Sequence, residues 1–148
     1  MRVFTSARAR LVFACGLIAT GATPAFAQRT AVVPEGTRVT ATLTPGIRIG
    51  DLVFASGQLG VRDSTIQGQT RLALESTKKV FEAAGTTMAN AAKCTVFLVD
   101  VKDFAGMNSV YSEFWPTSPP ARSTVVVKEL VAATAKVEIE CVAGMPGK

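Results

Sequence analysis

Residues 93–115, KCTVFLVDVKDFAGMNSVYSEFW, decide the fold because they place a buried strand directly before an amphipathic helix. The first part, 93–101, is apolar at most positions, which is typical of a strand buried on both faces. Asp103 is a candidate N-cap for a helix over 104–114. Apolar side chains recur in that helix with helical spacing and predict a stripe that faces the core. The stripe comprises Phe104, Met107, Tyr111 and Phe114.

The chain after this helix predicts two more strands. Pro116, Pro119 and Pro120 exclude a helix and favour a rigid loop. Strands are then expected over 123–128, STVVVK, and over 136–143, KVEIECVA. Both segments are rich in β-branched residues, so they complete the C-terminal half of a sheet.

The last of these strands alternates between an apolar side and a mixed side. The apolar side comprises Val137, Ile139 and Cys141, and the mixed side comprises Glu138, Glu140 and Val142. Because the second side is also partly apolar, we expect a partner subunit to cover it in a homo-oligomer.

The chain before residue 93 predicts a hairpin and a helix. The run 46–60, GIRIGDLVFASGQLG, contains two strands joined by a tight turn at Gly50-Asp51. Good helix formers fill 70–84, and Gly85 is suited to end that helix. A first strand is expected over 37–42, TRVTAT. The element order predicts an α+β fold with two helices on one face of a mostly antiparallel or mixed sheet.

The N-terminal segment has the pattern of a secretory signal peptide. Three arginines precede the apolar run 11–20, LVFACGLIAT, and Ala25-Phe26-Ala27 follows it as a cleavage site. We therefore expect a cleaved signal peptide over 1–27, a flexible leader and first strand over 28–40, and one domain over 41–148.

Cleavage after residue 27 predicts an exported, periplasmic protein. The alternative of lipoprotein processing at Cys15 is disfavoured, because only four apolar residues precede this cysteine and bulky Phe13 lies two positions before it. No other segment is long and apolar enough to span a bilayer, so no membrane attachment is expected after cleavage.

Composition narrows the classes of function. The chain has 16 basic and 11 acidic residues, and loss of the three arginines in the leader would leave 13 basic residues. These are scattered, so charge does not indicate a nucleic-acid partner. The chain has no histidine, which excludes Ser-His-Asp and Cys-His nucleophiles and histidine-based zinc sites.

Two cysteines remain outside the leader, and each lies within an apolar strand. We expect Cys94 and Cys141 to be two buried thiols rather than a disulfide, since free cysteine is often buried. The distance between their Cα atoms decides the matter and cannot be read from the sequence.

Three places are candidates for a functional site. Ser56-Gly57 ends a strand where glycine lets a ligand approach the backbone, although such a pair also makes ordinary turns. Arg122 leaves a proline-stiffened loop as a strand begins, and the alternative for it is a solvated surface arginine. Glu138 lies between apolar residues on the closing strand, where a solvated edge would also explain it.

Taken together, these places resemble the YjgF/RidA family of reactive-intermediate deaminases, also known as the endoribonuclease L-PSP family. The resemblance covers roughly residues 40–143 in order. Its motifs are GIRIGDLVFASGQLG (46–60), EAAG (82–85), KCTVFLVDVKDFAGMNSVYSEFW (93–115), PARSTV (120–125) and KVEIE (136–140).

The resemblance implies a fold and an activity. The fold would be chorismate-mutase-like, with three subunits packing their sheets into a barrel-like homotrimer. Small 2-imino or 2-amino acids would bind in clefts between neighbouring subunits. The activity would be hydrolytic deamination of 2-imino and 2-enamino acids to 2-keto acids and ammonia, with neither a metal nor an organic cofactor.

The resemblance also implies residue roles. Arg122 would hold the substrate carboxylate through its planar fork, and Glu138 would position or deprotonate a water. Ser56, Gly57 and the backbone around Thr124 would complete the substrate pocket.

Two positions depart from the family pattern. Leu43 stands where many members have tyrosine, and Thr124 stands where many have cysteine. We therefore expect retained activity with altered substrate preference. The alternatives are a carboxylate-binding trimer without turnover, a holdase-like stress protein, and an RNA-cleaving protein, which the absence of histidine disfavours.

Overall fold

The computed structural model describes residues 28–147, so the predicted signal peptide over 1–27 lies outside the described residues. Within this part the strands are β1 Arg29–Val32, β2 Gly46–Ile49, β3 Leu52–Leu59, β4 Ala91–Leu98, β5 Ala121–Val126 and β6 Val137–Gly144, and the helices are α1 Ile66–Ala83 and α2 Phe104–Phe114. Short 3₁₀ turns precede β4 and α2.

The strands form one mixed sheet in the order β1-β2-β3-β6-β4-β5. β4 and β5 are parallel, and every other neighbouring pair is antiparallel. Both helices pack on one face, where they bury the apolar side of β3, β4 and β6. This confirms the predicted α+β architecture. No helix of residues 28–147 has the length and apolar character needed to cross a membrane.

The alternation predicted for β6 is confirmed. Val137 and Ile139 are fully buried beneath the helices, whereas Glu138 and Glu140 lie on the opposite face. That opposite face also carries Phe54, which is 40% exposed. The single chain therefore leaves an uncovered, partly apolar sheet face.

Helix α1 begins four residues earlier than predicted because side chains of the preceding loop cap it. The Thr65 hydroxyl accepts a hydrogen bond from the Gly68 amide at 3.0 Å. The Asp63 carboxylate accepts hydrogen bonds from the Thr65 amide at 2.7 Å and hydroxyl at 2.6 Å. These donors lower the pKa of Asp63 below its ordinary value. The segment before the predicted helix thus contains an N-cap, Thr65, and threonine and aspartate are typical of that position.

The expectation for the N-terminal strand was wrong. Residues 29–32, predicted as part of a flexible leader, pair with β2 at the edge of the sheet. Residues 37–42 form no strand, because Thr40 closes a local turn instead of joining a ladder. The Thr40 amide donates to the Leu43 carbonyl at 2.9 Å, and the Leu43 amide donates to the Thr40 hydroxyl at 3.0 Å. Threonine side chains compete in this way with strand hydrogen bonds.

The expectation of two free thiols was also wrong. Cys94 and Cys141 form a disulfide between β4 and β6, with their Cα atoms 4.1 Å apart. Both are nearly fully buried. The register pairs these two cysteines directly across the antiparallel strands, and their separation of 47 residues in sequence could not reveal this.

Candidate functional site

Glu138 lies on the uncovered face of the sheet, between strands β3 and β4. Its register partners are Leu59 on β3 and Phe97 on β4. A side chain at position 57 would overlap the Glu138 carboxyl group, so glycine is required for this carboxyl to lie where it does. The group that occupies the space beside Gly57 is thus the Glu138 carboxyl of the same chain, and the approach of a ligand to this backbone stays a prediction.

The surroundings of Glu138 favour its protonated form. Partial burial raises the pKa of Glu138 above its ordinary value, and the nearby Glu140 carboxylate raises it further. A carboxylate with a raised pKa is a stronger base, so Glu138 is suited to accept a proton from water.

Ser56 precedes Gly57 on β3 and is held by two hydrogen bonds. It lies at an irregularity in the β3–β6 pairing between Ala55 and Gln58. Its hydroxyl donates to the Thr44 carbonyl at 2.7 Å, and its amide donates to the Pro45 carbonyl at 3.0 Å. The hydroxyl oxygen keeps its capacity to accept a hydrogen bond.

Leu43 lies in the segment that Ser56 anchors. The two residues line a pocket of about 340 Å³ beside β2, and the Leu43 side chain is 52% exposed. A tyrosine at this position would offer its hydroxyl to the pocket. Leucine offers only apolar surface.

Arg122 lies on the other face of the sheet, beneath helix α2. It is the register partner of Cys94, whose side chain faces the core. Its guanidinium carbon lies 4.6 Å from the centre of the Tyr111 ring and 5.9 Å from that of Phe104. Its Nη1 atom lies 3.9 Å from the Met107 sulfur. Within the described residues, the salt bridges leave Arg122 without a carboxylate partner.

Two hydroxyl groups near Arg122 are buried without hydrogen-bond partners in the described structure. They belong to Tyr111 and Thr124. Burial raises the pKa of Tyr111 to about 12, against the opposing effect of the Arg122 charge. Tyr111, but not Thr124, belongs to a pocket of about 370 Å³ that is lined by Asn108, Tyr111, Ser112, Trp115, Pro119, Pro120 and Arg122. An unpaired guanidinium facing such a pocket can bind a carboxylate bidentately.

The predicted site residues therefore form two clusters. The glutamate cluster is Ser56, Gly57 and Glu138, with Leu43 beside it. The arginine cluster is Arg122 and Thr124, with Tyr111. Because Arg122 faces the helices and Glu138 faces away from them, one chain does not bring these two charged groups together.

Tyr111 was not predicted as a site residue. Its helical spacing with Phe104 predicted a stripe that faces the core, and Tyr111 is indeed 4% exposed. The parallel register of β4 and β5, which turns Arg122 toward this stripe, is the information that the sequence lacked.

The sheet order, the single helical layer and the positions of these clusters define a small α+β protein of the chorismate-mutase-like class. The family model Endoribonuclease L-PSP matches residues 35–145, so the chain belongs to this family. It is the same family as the YjgF/RidA family that the motifs resemble.

Relatives and solved structures agree with this assignment. The chain is 41% identical over 104 residues to mmf2 of Schizosaccharomyces pombe, covering 66% of this chain and 82% of that protein. It is 39% identical over 107 residues to TdcF of Escherichia coli, with the same coverage, and TdcF is assigned to the reactive intermediate deaminases by name only. The crystal structure of E. coli YjgF matches with a TM-score of 0.72 and 30% identity, over 78% of this chain and 98% of that one. That of TdcF with bound serine matches with a TM-score of 0.69 and 33% identity, over 82% and 98%.

The relatives overturn the prediction of an exported, periplasmic protein with a signal peptide. The relative mmf2 is a mitochondrial protein by name, and so is a second relative from the same yeast. The charged and apolar pattern of residues 1–27 was read as a secretory signal, but arginine-rich leaders also occur on mitochondrial proteins. The expectation of export was wrong.

Proposed function

We propose that the protein hydrolyses small 2-imino and 2-enamino acids to 2-keto acids and ammonia. The observation that carries this proposal is the unpaired Arg122 guanidinium, which faces an open pocket on a chain whose other candidate residue is a carboxyl group with a raised pKa. Membership of the family supports the proposal, because its relative TdcF carries a deaminase name and was crystallised with a 2-amino acid.

The chemistry requires two side chains and one water molecule. Arg122 binds the substrate carboxylate through two parallel hydrogen bonds and so orients the C=N bond. Glu138 accepts a proton from water as the oxygen attacks the carbon of the protonated imine. The tetrahedral carbinolamine then receives this proton on nitrogen from Glu138. As the C–N bond breaks and ammonia leaves, the carbinolamine hydroxyl gives its proton to the Glu138 carboxylate and becomes the carbonyl of the 2-keto acid. Ammonia takes up this last proton as ammonium, which restores the Glu138 carboxylate. An enamine first takes a proton on its β-carbon, which gives the same imine.

We further propose that Arg122 of one chain and Glu138 of another complete each site in a homotrimer. The two residues lie on opposite faces of one sheet, so a single chain does not supply both to one substrate. The uncovered face that carries Glu138 also exposes apolar side chains such as Phe54 and Val125, which a second copy would bury.

A second candidate function is carboxylate binding without turnover. Leu43 favours it, because the pocket beside Ser56 lacks the hydroxyl that many family members place there. The bound ligand of TdcF, serine, is a stable amino acid and not an imine.

The test is the release of ammonia and keto acid from freshly generated 2-iminopropionate. We expect the wild type to accelerate hydrolysis and Arg122→Ala to lower kcat/KM about 10²- to 10³-fold, which corresponds to the loss of a charged bidentate hydrogen bond. The control is Arg71→Ala, since Arg71 is an exposed arginine that already pairs with Glu113 and is not among the residues that line the pocket of Arg122. If the wild type is stabilised against heat by 2-keto acids but releases no product above the spontaneous rate, the binding function replaces deamination.

A further inference from the structure

Tyr111 belongs to the arginine cluster, and its ring and its hydroxyl have different surroundings. It projects from α2 with only 4% of its surface exposed. Its ring lies under the Arg122 guanidinium at 4.6 Å from the ring centre. Its hydroxyl is buried without a hydrogen-bond partner among the described residues.

The ring restricts the guanidinium to one orientation. A guanidinium stacked on an aromatic face is held by the ring quadrupole and keeps its edge free for a planar anion. The Met107 sulfur, 3.9 Å from Nη1, is a weak acceptor and does not satisfy the charge. Arg122 is therefore oriented by contacts with aromatic and sulfur groups that leave its strong donors available.

The hydroxyl is unfavourable for the protein without ligand. A buried hydroxyl that lacks a partner destabilises the folded state relative to an apolar side chain of the same shape. Its high pKa keeps Tyr111 protonated, and hence a donor, at neutral pH. Thr124, two residues after Arg122 on the same face of β5, has a second such hydroxyl. Of these two hydroxyl residues, Tyr111 lines the same pocket as Arg122, so an unpartnered hydroxyl and an unpaired guanidinium point to a common ligand there.

We propose that Tyr111 is a binding residue of this site, whose ring positions Arg122 and whose hydroxyl donates a hydrogen bond to the carboxylate that Arg122 holds. This rests on the proposed role of Arg122 in carboxylate binding. The substitution Tyr111→Phe should then affect the stability of the protein and its affinity for a carboxylate in opposite directions. It removes an unpartnered buried group and leaves the ligand-free protein at least as stable, and it weakens carboxylate binding.

Trp115 provides a direct measurement of binding. It is the only tryptophan of the chain, it lines the same pocket, and its ring centre lies 4.7 Å from that of Tyr111. Its fluorescence is titrated with pyruvate as the carboxylate probe, and the melting temperature of each variant is recorded without pyruvate. The matched control is Phe114→Leu, which removes an aromatic ring of the same helix that stacks on Trp115 and is not among the rings stacked on Arg122.

We expect Tyr111→Phe to raise the Kd for pyruvate about 5- to 30-fold at an unchanged or higher melting temperature. Tyr111→Leu, which also removes the ring, should weaken binding further, toward the level of Arg122→Ala. Phe114→Leu should keep the wild-type Kd.

If Tyr111→Phe binds within twofold of wild type while Arg122→Ala loses binding, the inference is overturned. A lowered melting temperature of Tyr111→Phe would also overturn it, since the hydroxyl would then have a structural partner. If Arg122→Ala itself binds as wild type, the proposed function fails and not this inference alone.

Discussion

The fold keeps Arg122 charged, whereas it disfavours the charged form of Glu138. The fold leaves Arg122 charged and stacked on an aromatic ring, with its donors free for an anion. It raises the pKa of Glu138 through burial and the neighbouring Glu140, so the carboxylate form is disfavoured. The first arrangement suits recognition of an anion, and the second suits acceptance of a proton.

Replacement of Glu138 by glutamine should reveal this raised pKa in the stability of the protein. Because the folded-state pKa lies above the ordinary value of 4.5, the contribution of this group to stability is present below that value and is lost as pH rises through the folded-state pKa. Glu138→Gln should therefore be at least as stable as wild type at neutral pH, and the difference should vanish under acidic conditions. Urea unfolding at several pH values measures this. A variant that is less stable than wild type at neutral pH would contradict it.

The activity of the protein should also depend on Glu138. Replacement by glutamine should maintain or raise stability at neutral pH, but it should abolish turnover. Glu138→Gln should lose turnover at every pH, because an amide cannot accept the proton of the attacking water. In the wild type, kcat should fall with decreasing pH through a value above 4.5. A wild-type profile that stays flat through this range would exclude Glu138 as the base.

Only part of the candidate site could be predicted from the sequence. Sequence motifs point to Arg122, Glu138, Ser56 and Gly57. Arg122 and Glu138 lie where strands begin, and Ser56 and Gly57 lie at the irregularity within β3. The motifs do not point to Tyr111, because a tyrosine in an apolar helical stripe is read as core unless the register of the neighbouring strands is known.

Strand β3 shows how one element positions a side chain of another. The absence of a side chain at position 57 leaves room for the Glu138 carboxyl group of β6. Gly57→Ala should displace this carboxyl and lower kcat about 10- to 100-fold, because a shift of about 1 Å disrupts catalytic geometry. The control is Gly144→Ala on β6, where an added Cβ meets no atom within 4 Å. Equal activity of both variants would contradict the placement of Glu138 in the site.

Strands β4 and β6 are joined by the Cys94–Cys141 disulfide at the centre of the sheet. The double variant Cys94→Ala/Cys141→Ala should lower the free energy of unfolding by about 2–4 kcal/mol, as expected for a cross-link that closes a long loop. The number of thiols titrated in denaturant should rise by two on reduction, one for each cysteine of this pair. An unchanged number would contradict the cross-link.

The elements themselves were largely predictable. Alternation identified β6, helical spacing identified α2, and the Gly50-Asp51 turn, with Gly50 at a φ of 58°, identified the β2–β3 hairpin. The N-terminal strand was misplaced because β-branched residues at 37–42 suggested a ladder, whereas the pairing of β1 with β2 is decided by the tertiary structure. Local pattern does not determine which of two short polar segments takes an edge position.

The proposed active site requires a second copy of the chain. The sheet buries one face under the helices and leaves the face of Glu138 uncovered, with Phe54 and Val125 exposed on it. An interface that unites different surfaces of two subunits is heterologous, and it closes into a ring in a trimer.

The most direct test of this claim is complementation between Arg122→Ala and Glu138→Gln. Each variant alone should hydrolyse 2-iminopropionate at least about 10²-fold more slowly than the wild type. After the two variants are unfolded together in equal amounts and refolded, we expect about one quarter of the wild-type activity, because random assembly into closed rings gives that share of sites with both groups intact. If the wild type is active and the mixture stays inactive, with mixed oligomers demonstrated by mass spectrometry, a site shared between chains is contradicted.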